Sequence, residues 1–180
     1  MDCDFYVLYG TQTNTAKYAA EELGRQAVKR SFVPKIMEFD EFQITRLPTA
    51  KIIIFVVSTT GDGEVPETMK NAWKFLLRSD LPVNSLSQLK FSVFGLGDSS
   101  YALFNAAAKK LARRLINLGA ELFHEVGLGD YQHDFGYEGE FDPWTNQLWP
   151  KLANFFLPRN FEIKPDILLP PAYQVLFIED

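Results

Sequence analysis

Apolar runs of strand length alternate along the chain with segments whose apolar residues recur at helical spacing, the pattern of a parallel sheet covered on both faces. Strands are predicted at residues 5–9, 35–39, 51–57, 91–95 and 121–126. The run Ile52-Ile53-Ile54-Phe55-Val56-Val57 has no polar position and reads as a central strand buried on both sides. Between the strands, Ala16, Ala20, Leu23 and Ala27 share one helical face, and Met69, Trp73 and Leu76 another. Leu111, Leu115 and Leu118 line a helix expected from about Asn105 to a glycine stop near Gly119. Lys109, Lys110, Arg113 and Arg114 on its other side read as a solvated face, with a docking surface as the alternative. A last helix is expected from about Pro143 through Trp149 to Phe156, after a polar loop over residues 131–140.

Beyond that helix the composition changes. Pro158, Pro165, Pro170 and Pro171 punctuate a stretch that ends in Val175-Leu176-Phe177-Ile178. A sixth strand is one reading, but the prolines favour a linker entering a second domain. The expected division is therefore one domain over residues 1–157 and a proline-rich linker with the start of another domain over 158–180.

Composition narrows the function. With 47% hydrophobic and 23% charged residues, the chain resembles an ordinary soluble globular protein, and its longest aliphatic and aromatic run is far too short to span a membrane. Met1-Asp2-Cys3-Asp4 runs straight into Phe5 without a basic region or an apolar signal core, so the expected location is the cytosol. Cys3 is the single cysteine and the two histidines are distant, which excludes an internal disulfide and makes a poor metal site. A net charge of -5 argues against nonspecific nucleic-acid binding.

In an open parallel sheet, ligands bind beyond the carboxyl ends of the strands, where the strand order reverses. Gly10-Thr11-Gln12-Thr13-Asn14-Thr15-Ala16 follows the first strand and offers three hydroxyls and backbone N–H groups at a helix start, which suits an anion. It lacks the lysine of a Walker loop and the glycine spacing of a dinucleotide fingerprint, so a monophosphate fits better than a pyrophosphate or triphosphate. Alone, it could equally be a helix cap. The third strand ends in Ser58-Thr59-Thr60-Gly61-Asp62-Gly63, a second polar loop whose glycines permit close approach of a flat ligand or simply form a tight turn before Pro66. The fourth ends in Gly95-Leu96-Gly97-Asp98-Ser99-Ser100-Tyr101-Ala102-Leu103-Phe104-Asn105, where Tyr101 is either a stacking platform or a ring packed back on the core.

With these loops in view, the sequence resembles the FMN domain of the diflavin reductases, the group containing cytochrome P450 reductase, over residues 5–156. Thr59-Thr60-Gly61, Met69-Lys70-Asn71-Ala72-Trp73, the stretch 95–119, Gly129-Asp130-Tyr131-Gln132-His133 and Asp142-Pro143-Trp144 bring it nearest to the soluble, NADPH-dependent branch that serves cytosolic iron–sulfur protein assembly. The resemblance implies a flavodoxin-like α/β fold, a doubly wound five-stranded parallel sheet in the order 2-1-3-4-5. It implies that Thr11, Gln12, Thr13, Asn14, Thr15 and Ala16 bind the phosphate, and that Ser58, Thr59, Thr60 and Gly61 border the isoalloxazine ring. Leu96, Gly97, Asp98, Ser99, Ser100, Tyr101, Ala102, Leu103, Phe104 and Asn105 would cover its other side, with Tyr101 stacking. Asp130 and Tyr131 would lie beside the flavin, Tyr131 falling where many relatives carry an acidic residue.

Two departures from the family pattern carry physical content. Asn14 replaces a glycine, which asparagine tolerates because it readily adopts positive φ. Thr60 replaces a second stacking tyrosine, which removes roughly 0.5–1.5 kcal/mol of stacking and predicts weaker FMN binding than in a doubly stacked site.

The resemblance further implies that a complete protein passes a hydride from NADPH to FAD on its own C-terminal domain, then single electrons to this FMN and on to an anamorsin-type iron–sulfur protein. No side chain reads as a nucleophile or general base. Asp62, Glu64, Glu67, Glu138, Glu140 and Asp142 are solvated loop carboxylates or, alternatively, steer a partner with a basic patch. A response-regulator receiver, a non-redox phosphate-binding module, shares the strand order but needs acids after the first strand, where this chain has Tyr9-Gly10-Thr11. A stand-alone flavodoxin is the other rival, against which the proline-rich tail speaks.

Overall fold

The computed structural model describes residues 3–156; the stretch on which the expected linker and second-domain start fall lies outside the described residues. The chain order is β1 (Phe5–Gly10), α1 (Thr15–Lys29), β2 (Pro34–Glu38), β3 (Ile52–Ser58), α2 (Lys70–Leu76), β4 (Lys90–Gly97), α3 (Ala106–Asn117), β5 (Glu121–Leu122), β6 (Gly127–Asp130) and α4 (Glu138–Ala153), with short 3₁₀ turns between. The strands form one sheet in the order β2-β1-β3-β4-β5, with β6 also on β4, and every pairing is parallel. This is the expected order, with the apolar run at 52–57 in the middle and buried throughout.

Alternation along the strands sorts the core into two layers. Leu8, Ile53, Phe55, Val57, Phe91 and Val93 face α2 and α3, packing with Met69, Leu76, Leu111 and Leu115. Val7, Tyr9, Ile54, Val56, Phe94 and Leu96 face α1 and α4, packing with Ala16, Ala20, Leu23, Trp144 and Leu148. Gly119 closes α3 at φ 91, while the N–H of Ala120 bonds back to Leu115, a Schellman stop at the expected glycine. The same stop ends α1, but there Ser31 takes the left-handed position at φ 65, with no glycine to mark it.

The fifth strand and the last helix differ from the expectation by more than a residue or two. Of the strand predicted at 121–126 only β5, 121–122, is formed, and β6 begins beyond the predicted range at Gly127, because His124 turns inward between them, 2% exposed against Trp144. The carbonyls freed from the ladder find side-chain donors instead: Ser92 Oγ bonds His124 O and Trp144 Nε1 bonds Glu125 O. The pattern of β6, Gly127-Leu128-Gly129-Asp130, is strand-poor by propensity, yet glycine is required, since a Cβ on Gly127 would lie 2.3 Å from Phe94 Cδ2. The last helix starts at Glu138, ahead of Pro143, with Glu138 and Glu140 in its first turn, where carboxylates favour the helix dipole. Among the described residues no helix is long and apolar enough to cross a membrane.

Candidate functional site

The chain turns outward from β1 to β2, then crosses back to β3 and β4, so the loops after β1, β3 and β4 meet at the reversal. They enclose a cavity of about 370 Å³, lined by Thr13, Thr15, Ser58, Thr59, Gly61, Leu96, Gly97, Asp98, Tyr101, Leu103, Phe104, Asn105, Tyr131 and Tyr137. All but Tyr137 are residues that the sequence singles out. Thr11, Gln12, Asn14, Ala16, Thr60, Ser99, Ser100, Ala102 and Asp130 are not among the lining and act around it.

The first loop is braced from behind. The N–H of Thr11 donates to Thr68 Oγ1 at 2.9 Å, whose hydroxyl donates to Thr11 O at 3.2 Å. The amide oxygen of Gln12 accepts the N–H of Glu67 at 3.2 Å. Asn14 then takes φ 68 and opens α1, whose first turn receives no side-chain cap. Its N–H groups are therefore available to an anion, with Thr13 and Thr15 in the cavity wall beside them. Ala16 is fully buried and packs in the core.

The second loop is a small hairpin. Thr60 and Glu64 exchange backbone bonds of 3.0 and 2.8 Å, and the Thr60 hydroxyl donates to Glu64 O. Both feet are tied down: Thr59 N–H bonds Leu96 O, Thr59 Oγ1 accepts the N–H of Ala107, and Lys110 Nζ donates to Gly63 O. The tip stays open, since a Cβ on Gly61, at φ 46, would meet nothing within 4 Å.

The third loop begins where β4 ends. Asn105, fully buried at φ 54, donates from Nδ2 to Gly129 O at 3.1 Å and so bolts the start of α3 to β6. Gly95 and Gly97 make room for it, since a Cβ on either would come within 2.7 or 2.9 Å of its Oδ1. Asp98 Oδ1 accepts the hydroxyl and N–H of Ser100 and the amide of Gln132. Asp130 Oδ1 accepts the N–H groups of Ser99 and Gln132. Hydrogen bonding, from Ser100 and from Ser99 respectively, holds both carboxyls below the usual range, so both are ionised at neutral pH.

Three tyrosines complete the cavity. Tyr101 is 67% exposed, so it is not packed back on the core. Tyr137 is half-buried beside Phe141, and burial, with Glu138 nearby, pushes its hydroxyl pKa up and keeps it protonated. Sequence reasoning missed Tyr137 because it lies in a polar stretch with no periodicity; the only signal was an aromatic one residue before an acidic helix start.

The residues fit a phosphorylated planar cofactor such as FMN. Hydroxyls and open helix N–H groups serve a monophosphate, the buried Thr11 hydroxyl has no partner of its own, and rings on separate loops flank the same space. The volume lies within the roughly 300–1,000 Å³ typical of ligand pockets. No lysine or arginine lines it, so an anion bound there would be met by neutral donors.

Comparison with known proteins agrees with this geometry. The flavodoxin family profile matches residues 7–144. The protein called NADPH-dependent diflavin oxidoreductase 1 in Danio rerio is 43% identical over 176 residues, 97% of this chain and 30% of its own length. Its namesake in Arabidopsis thaliana is 44% identical over 179 residues, 95% of this chain and 29% of its own. That of Schizosaccharomyces pombe is 41% identical, over 97% of this chain and 30% of its own. The chain thus spans less than a third of the length of these relatives. A solved flavodoxin from Streptococcus pneumoniae TIGR4 superposes with a TM-score of 0.68 over 84% of this chain and 98% of that one, at 22% identity, a likeness of fold. Profile, parallel sheet order and the site at its reversal agree, and the chain belongs to the flavodoxin family.

Proposed function

We propose that this chain is the FMN-binding electron-transfer module of an NADPH-dependent diflavin reductase. The observation that carries the reading is the convergence on one cavity of a hydroxyl-rich loop at an uncapped helix start, the polar turn after β3, and two loops, after β4 and after β6, that bear the exposed rings of Tyr101 and Tyr131. In it, residues 11–16 hold the phosphate. Ser58, Thr59, Thr60 and Gly61 border the ring system, residues 96–105 cover its other side, and Asp130 and Tyr131 stand beside it. Tyr101 closes over one face, and Tyr137 adds a wall. When bound, the flavin supplies the one-electron chemistry; the protein orients it, shields it from water and sets the charge around it.

The complete protein then carries FAD and takes its electrons from NADPH on a domain of its own, as the names of the relatives suggest. Its acceptor is an anamorsin-type iron–sulfur protein of cytosolic cluster assembly, and it works in the cytosol. The test of the module is an FMN titration of the purified chain. Stoichiometric uptake with a shifted flavin absorbance is expected; a chain that takes up no FMN overturns the reading. For the acceptor, the purified full-length protein should reduce the iron–sulfur protein with NADPH and fail to do so without it.

The stand-alone carrier is the second reading, favoured by the superposition on nearly the whole length of a flavodoxin. Sequence beyond Asp180 discriminates, since FAD- and NADPH-binding motifs belong only to the first.

A further inference from the structure

We infer that a second pocket, at the amino edge of the sheet, binds a diphosphate group, carried by a nucleotide or free in solution. It opens at the far end of β1 from Gly10 and the first cavity, and its occupation is independent of flavin.

The pocket, of about 280 Å³, lies where β1, β2 and β3 begin, and its walls include Tyr6, Lys35, Phe42, Arg46 and Lys51. Register explains why these residues meet. Tyr6 pairs with Lys35 of β2 on one side and with Ile53 of β3 on the other, so Lys35 stands beside it on the same face. Lys51, two residues ahead of Ile53, returns to that face one step nearer the edge. Arg46 comes from the 3₁₀ turn Ile44–Thr49, on the crossing from β2 to β3. Its N–H bonds Gln43 O at 2.8 Å and its carbonyl accepts the Thr49 hydroxyl at 3.0 Å, which pins the main chain beneath the guanidinium. The guanidinium donates from Nη2 to Tyr6 OH at 3.2 Å and lies 6.0 Å from the centre of that ring. Phe42, itself buried, meets the Tyr6 ring edge-on at 5.2 Å and completes an apolar wall.

Charge identifies the ligand. Exposed lysines ordinarily face only water. Here the fold brings two of them, from strands on either side of β1, to one concave site with an arginine tethered to a ring. Among the described residues Lys35, Arg46 and Lys51 are in no ion pair. The one carboxylate in the wall, Asp4, accepts the N–H of Val33 at 2.8 Å. Three cations therefore stand against one anion, in a chain whose net charge is -5 and whose first cavity has no lysine or arginine in its wall. A positive potential focused in a concave site concentrates anions. Guanidinium grips phosphate oxygens in a bidentate fork, and ammonium groups add point charges. Lys35 and Lys51 belong to strands roughly 9–10 Å apart across the sheet, so two linked phosphates span the cations better than one. The volume falls just below the roughly 300–1,000 Å³ of typical ligand pockets, enough for a diphosphate and little more than one ring or sugar. The Tyr6–Phe42 wall offers an organic diphosphate a contact that the free ion cannot use.

The test titrates the purified chain with inorganic pyrophosphate, and separately with ADP, by calorimetry at low ionic strength without divalent metal. One equivalent of FMN is present to occupy the first cavity. One-to-one binding is expected. Arg46→Ala, and the pair Lys35→Gln with Lys51→Gln, should each weaken it about tenfold or more, and Tyr6→Phe, which unties the guanidinium, about threefold. Because the three cationic residues are exposed, their replacement should leave the melting temperature nearly unchanged. Amide resonance shifts on titration should fall at residues 4–6, 35 and 46–51 and spare 11–16. Tighter binding of ADP than of pyrophosphate assigns the site to a nucleotide, and equal or weaker binding assigns it to the free ion. Failure of both to bind, equal affinity for sulfate or for adenosine, binding indifferent to Arg46→Ala and to the lysine pair, or shifts confined to 11–16 overturns the inference.

Discussion

The ammonium of Lys110, on the outer side of α3, donates a hydrogen bond of 2.9 Å to the carbonyl of Gly63, so the helix after the third loop holds down the second. Gly63 also packs against Leu103 and Ala106, where its own φ of 79 and the absence of a Cβ allow contact. Lys110→Ala should free the hairpin at residues 60–64. The expected result is an FMN dissociation constant raised about fivefold, corresponding to ~1 kcal/mol for one hydrogen bond, with faster amide exchange confined to that hairpin. Lys110→Arg should restore most of both.

On the proposed reading Tyr101 is the ring that stacks on the flavin. Because it is exposed in the free chain, Tyr101→Ala should leave the melting temperature nearly unchanged and raise the FMN dissociation constant by roughly tenfold, from lost ring contact of about 0.5–1.5 kcal/mol or somewhat more. Tyr101→Phe should bind FMN nearly as the unaltered chain does. A fall in melting temperature with no change in FMN titration would reassign Tyr101 to the core.

Gly97 and Asn105 are matched in shape. A Cβ at Gly97 would lie 2.9 Å from the backbone nitrogen of Asn105, which cannot move aside without shifting the start of α3. Gly97→Ala should therefore cost about 1–3 kcal/mol, lowering the melting temperature by roughly 2–12 °C in thermal unfolding. Asn105→Ala should be comparably harmful, since it removes the bond to Gly129 and places alanine at φ 54. Asn105→Gly should cost less, because glycine accepts that φ.

His124 sets a pH dependence unrelated to the cavity. Lys151 Nζ, which can only donate, lies 2.9 Å from its Nδ1, leaving Nε2–H to donate to Trp144 O at 3.0 Å. Burial first, and the charge of Lys151 with it, hold its pKa below the ordinary value. The unfolded chain gains a proton near pH 6.5 that the folded chain takes up only at lower pH. The contribution of neutral His124 is thus complete above about pH 6.5 and is lost as pH falls toward the folded pKa. Melting curves between about pH 7.5 and 5.5 should show stability falling with pH, and His124→Gln should flatten that slope while lowering the starting stability.

Those outcomes depend unequally on what sequence reasoning could reach. The strands at 52–57 and 91–95 were legible because continuous apolar runs have one stable place, inside a covered parallel sheet. Thr13, Thr15, Ser58, Gly61 and Tyr101 were legible because loops at alternate strand ends share one edge. The break in the fifth strand was not, since it depends on His124 meeting Ser92 and Trp144, neighbours that only the fold brings together. Nor was Tyr137, or the division of labour in the third loop. There Asp130 accepts the N–H groups of Ser99 and Gln132, and Asn105 works from full burial.

At the hairpin tip, handedness and room come apart. Gly61 lies at φ 46 with open space where a Cβ would stand, so in the flavin-free chain alanine and asparagine there differ in backbone preference, not in crowding. The stability of the two free variants therefore gauges the chirality demanded of the turn. Repeating the comparison with FMN bound and subtracting isolates what the ligand itself requires of that peptide, a quantity that a glycine in a packed turn could not report.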